Sequence, residues 1–108
     1  MASFDDFLKE LKGEVGELVE KSWKDFKSPA LSDAAAFLQK AQEDLKRWAD
    51  LLASGQLTIH DFEFLLAAKK DVAELTALKQ AGLAEVQLDR FRSGLVSAIL
   101  HVATKVFL

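Results

Sequence analysis

The chain has 108 residues, half of them hydrophobic, and its 14 Lys plus Arg against 17 Asp plus Glu give a formal net charge of −3. That length suits one core and is too short for two domains, and the near-balanced charge lacks the basic excess of a nucleic-acid binder. With no cysteine present, disulfides, thiolate metal sites and thiol catalysis are excluded, and a reducing cytoplasm is the expected location.

The start, Met1-Ala2-Ser3-Phe4-Asp5-Asp6, carries acids where a signal peptide needs basic residues. The most apolar stretch, Leu95 to Leu108, is interrupted by Ser97, His101, Thr104 and Lys105, and falls short of the ~20 residues of a membrane span. A single proline, five glycines and no tyrosine, with no alternation of apolar and polar residues, leave no strand signal. The predicted class is all-α, a single domain over 1–108 folded as an antiparallel up-down-up-down four-helix bundle, with helices at about 3–27, 29–53, 58–80 and 83–107.

The first helix is predicted from Phe4, Leu8, Leu11, Val15, Leu18 and Ser22, which recur at steps of four and three. Phe7, Val19, Trp23 and Phe26 widen that stripe. Asp5 and Asp6 at the start and Lys21, Lys24 and Lys27 at the end suit the helix dipole, and Asp5/Lys9, Glu17/Lys21 and Glu20/Lys24 are spaced for i, i+4 pairing. Gly13-Glu14-Val15-Gly16 spells a G-x-x-G phosphate clamp. Its flanking acids repel phosphate, so a bend or a close helix approach is the expected role.

Ser28-Pro29 reads as an N-cap followed by proline at the first helical position. The second helix then follows Leu31, Ala34, Leu38, Ala41, Leu45, Trp48 and Leu52 to a stop at Ser54-Gly55, with Phe37 and Leu51 flanking. Leu57-Thr58-Ile59-His60-Asp61-Phe62 carries a capping box, Thr58 with Asp61, and a staple from Leu57 to Phe62. It opens a third helix bearing Phe62, Leu65, Leu66, Val72, Ala73, Leu75 and Leu78, closed by Gly82.

The fourth helix carries Ala84, Leu88, Phe91, Leu95, Ala98 and Val102 inward, and beside them a second seam of Val96, Leu100, Ala103 and Phe107. Apolar surface over so wide an arc calls for more cover than two neighbouring helices give. Those four residues are therefore the expected interface of a non-enzymatic helical interaction module, one that self-associates or binds a helical partner. The other explanation is a helix that simply sits deepest. An alternative function is a carrier of an apolar small molecule or lipid, suggested by eight phenylalanines and two tryptophans.

Chemistry has little to stand on. The Glu-x-x-His pairs of bundle metal sites are missing, and His60 with Glu63 makes only two ligands. Lys69, near an apolar arc, is a candidate lowered-pKa nucleophile or a snorkelling stem, and His101 has no assignable partner. No metal, cofactor, catalytic residue or nucleic-acid partner is expected, although Lys69, Lys70, Arg90 and Arg92 are the basic residues that a local nucleic-acid contact would use.

Overall fold

The computed structural model describes residues 3–70 and 73–108. The chain is all-α, and the described residues form five α-helices: α1 (Phe4–Ser22), α2 (Lys27–Ala53), α3 (Ile59–Lys69), α4 (Thr76–Gln80) and α5 (Glu85–Phe107). There is no strand among the described residues, and no helix there is long and apolar enough to cross a membrane.

At the start of α1, Ser3 Oγ accepts from the Asp6 N–H and Asp6 Oδ2 accepts from the Ser3 N–H, both at 3.2 Å. This reciprocal box satisfies donors that the first turn leaves without partners. α1 stops at Ser22 instead of reaching Lys27: Trp23 leaves the helix at φ −129°, and Lys24–Phe26 form a 3-10 turn. The buried Trp23 ring meets Phe91 edge-on at 5.3 Å, and burying an indole outweighs extending an exposed last turn. Glu20, expected to pair with Lys24, instead pairs with Lys27 at 2.9 Å across this corner.

α2 begins at Lys27, ahead of the expected Ser28-Pro29 start, with Phe26 in the N-cap position and no side-chain cap. Pro29 is then the third helical residue, where its missing N–H still forfeits no intrahelical bond. The stop at Ser54-Gly55 forms as predicted: the Gln56 N–H donates to Leu51 O at 2.9 Å and the Gly55 N–H to Leu52 O at 3.2 Å, with Gly55 at φ +79°. The predicted capping box of α3 also forms, with Thr58 Oγ1 accepting from the Asp61 N–H at 3.0 Å and Asp61 Oδ2 from the Thr58 N–H at 3.4 Å.

The single third helix expected over 58–80 does not form. α3 ends at Lys69, and Leu75 takes a left-handed conformation, φ +53° and ψ +43°, immediately before α4. Val72, expected on that helix's stripe, lies outside the described residues. The break lets Ala73, Leu75 and Leu78 all enter the core. At the other end of α4 the predicted cap at Gly82 does form: at φ +95° it donates to Lys79 O at 3.0 Å, while Leu83 donates to Leu78 O at 3.3 Å.

α1 lies against α2 and α5, α5 also touches α2 and α3, and α4 rests on α2. One cluster of buried side chains joins all five helices, including Phe7, Leu11, Leu45, Phe62, Leu78 and Phe91. The 27 residues of α2 run about 40 Å at 1.5 Å per residue, which sets the 42 Å long axis of the molecule. On α2 the buried face is turned away from Leu31 and Leu38 toward Ala30, Asp33 and Phe37, because α4 covers that side. Leu31 is left 38% exposed.

Candidate functional site

The fourth-helix seam lies on α5. Ala103 is completely buried, whereas Val96, Leu100 and Phe107 are half-buried and packed against the common core. Phe107 meets Phe7 at 5.5 Å, and Phe7 meets Phe4 at 5.8 Å, so the end of α5 and the start of α1 share an aromatic cluster. Leu100 also borders a shallow recess with Ile59 and Glu63 of α3. With α1, α2 and α3 all touching α5, much of its wide apolar arc is used inside the chain.

A second apolar surface lies between α1 and α2. Leu8, Val15, Leu31, Ala34, Ala35 and Leu38 line a groove of about 440 Å³, with Lys12, Gln39 and Gln42 also on its walls. The sequence gives this groove no signal, because Leu31 and Leu38 fit an inward stripe there.

The chemically suggestive residues are dispersed. His60 and Glu63 are both exposed on α3. His101, also exposed, stands 4.0 Å from Glu14 of α1, and among the described residues no three His, Cys, Asp or Glu side chains are placed to share a metal ion. Of the basic residues considered for nucleic acid, Lys69 pairs with Asp44 of α2, and Arg92 pairs with Asp89 at 2.8 Å. The close approach expected at the G-x-x-G segment is not found: a Cβ on Gly13 or Gly16 would meet open space. It is found at Gly94, where a Cβ would lie 3.4 Å from Leu18 Cδ2.

The Lys69 ammonium, hydrogen-bonded to Asp44, holds that carboxyl below the ordinary carboxylate range. Partial desolvation opposes the effect, and the Lys69 and Arg47 charges add to it. A depressed native value contributes stability above the unfolded-state value and loses it as pH falls through the native one. Lys69→Met keeps the apolar stem and removes the charge. Its urea midpoint should lie below that of the wild type at pH 6 and converge with it below about pH 4; a gap that stays constant down to pH 2.5 would refute the ion-pair account.

Asp33, which the sequence did not single out, and Arg92, expected only as a surface basic residue, organise the break between α3 and α4. Asp33, only 7% exposed, accepts from the Ala77 N–H at 3.0 Å and the Leu78 N–H at 2.8 Å. Its carboxylate thus caps the first turn of α4 from another helix, supplying what the apolar N-cap residue Leu75 cannot. Arg92, its side chain 13% exposed, donates from Nε to Ala73 O at 3.1 Å while Nη1 holds Asp89. A sequence signal for Asp33 exists, since Ala30 and Phe37 at i−3 and i+4 share its face of the helix. Compared with known proteins, the chain matches no family model, no curated protein and no solved structure.

Proposed function

We propose that this chain is a non-enzymatic helical interaction module that associates with a second copy, or with a helical partner, through the C-terminal half of α5. The observation that carries the reading is the half-exposure of Val96, Leu100 and Phe107, continued by Val106 and by Phe4 of α1. In this reading the helices form one domain, an up-down-up-down bundle with α3 and α4 sharing the third position. The packing of α1 between α2 and α5, and of α3 against α5 and α2, supports it. The cysteine-free composition suits a cytoplasmic setting.

Light scattering after gel filtration tests the contact. At tens of micromolar the wild type should exceed its 12.0 kDa chain mass, and Leu100→Asp should lower it toward that mass. Leu100→Ser serves as a gentler companion, with helicity checked by circular dichroism. A wild type that stays monomeric, with no helical partner bound, overturns the proposal.

A second reading, a carrier of an apolar small molecule or lipid, is favoured by the α1/α2 groove and its apolar walls. The same preparation separates the two readings. Saturable binding of a fluorescent fatty acid by a monomer, lost in Leu31→Glu, would replace association with carriage.

A further inference from the structure

α3 carries apolar side chains on both faces. Phe62 and Leu66 are completely buried on the inner side, while Phe64 on the outer side is 75% exposed, with exposed Ala67 and Ala68 flanking it. At 100° per residue Phe64 points almost directly away from the core, and the outer face it shares with His60, Ala67 and Ala68 sets one large exposed ring among small residues and an imidazole, an apolar side chain that contact with another surface would bury. Nothing among the described residues covers that outer face.

The charges along α3 indicate what does. Asp61 and Glu63 stand near its start, and Lys69 and Lys70 at its end, so a second copy of the same helix laid antiparallel meets opposite charge at both ends. The helix dipoles then also oppose favourably. Asp61 is engaged in the capping box and Lys69 with Asp44, which leaves Glu63 of one copy to face Lys70 of the other along the same flank. The small Ala67 and Ala68 give the opposing Phe64 ring room to lie flat.

We propose that the outer face of α3 is a self-complementary contact pairing two copies of this chain, α3 against α3 and antiparallel about a two-fold axis. Each Phe64 packs over Ala67 and Ala68 of the second copy. Such two-fold contacts are the commonest way identical chains associate. The 11 residues of α3 span only about 16 Å, so the contact buries less than the ~1,200 Å² of a stable interface and belongs with weak, transient contacts. Its residues are separate from the α5 seam, so the two contacts fail independently.

Sedimentation equilibrium of the full chain from about 10 µM to 1 mM tests the pairing across that weak range. In the Leu100→Asp background, where the α5 seam is silenced, the mass should rise from 12.0 kDa toward twice that value. Phe64→Lys should weaken association at least tenfold with an unchanged helical spectrum and melting temperature, because the side chain contributes little to the fold. Glu63→Lys and Lys70→Glu should each weaken it severalfold, and their combination should restore it. A wild type monomeric throughout overturns the proposal, and so does association that survives Phe64→Lys but is lost in Leu100→Asp. Loss in Phe64→Lys without recovery in the charge-reversed pair overturns the antiparallel arrangement.

Discussion

Replacing Asp33 by alanine should destabilise this protein by about 2–4 kcal/mol, although the residue is neither apolar nor in any recognisable motif. The carboxylate accepts two backbone N–H groups of α4, at 3.0 Å from Ala77 and 2.8 Å from Leu78. A hydrogen bond to a charged acceptor contributes roughly 1.5–3 kcal/mol, and a buried donor left unsatisfied costs about 1–3 kcal/mol. The two bonds share one acceptor group and so add less than fully. The cleft beside Asp33, between α2 and α4, admits water in its place, which holds the cost to the lower half of the summed range. For a domain of this size that corresponds to a melting temperature lower by about 10–20 °C.

Asparagine at this position refines the test. Asp33→Asn keeps the shape and one acceptor but turns an amide NH₂ toward a backbone N–H, so its loss should lie between the wild type and Asp33→Ala. Amide hydrogen exchange gives the local readout. The Ala77 and Leu78 amides should lose protection in both variants by a larger factor than amides in the middle of α5, where Leu95 and Ile99 are buried. Uniform loss across all helices would mean that Asp33 supports the fold generally and does not cap α4.

The parts of the fold legible in the sequence are those decided within one turn of chain. The Thr58–Asp61 box and the stops at Gly55 and Gly82 form as predicted because cap chemistry needs only neighbours three to five residues away. The break within 58–80 was not legible, because Leu75 and Leu78 fit a continuous helical stripe and what separates them comes from far along the chain. Asp33 is 44 and 45 residues from its two donors, and Arg92 is 19 from Ala73. Periodicity also shows that a helix has an apolar face without fixing which edge of it a neighbour covers. On α2 that choice of edge is the difference between a buried Leu31 and the exposed one that lines the groove. On α5, an arc too wide for two neighbours met three, which is why Ala103 is fully covered while Val96, Leu100 and Phe107 keep part of their surface.

Position 75 offers the sharpest discrimination between the broken helix and a continuous one. Leu75 is 3% exposed and left-handed at φ +53°, so Leu75→Gly has two opposed effects. Relief of the left-handed conformation, unfavourable for any residue with a Cβ, gains about 1–2 kcal/mol, whereas losing a buried leucine side chain costs about 2–5 kcal/mol. Loss of packing wins, and the variant should be less stable than the wild type. Leu75→Ala loses nearly the same packing and keeps the strain, so it should be the less stable of the two by about 1 kcal/mol, after allowing for the greater freedom of glycine in the unfolded chain. In a right-handed helix interior the order reverses, glycine being worse than alanine by about 1 kcal/mol. Urea denaturation of the two variants therefore reads the backbone at residue 75 from the sign of their difference. Alanine more stable than glycine would mean that the chain runs helically through this position, with Asp33 left facing a helix interior that has no free N–H to donate.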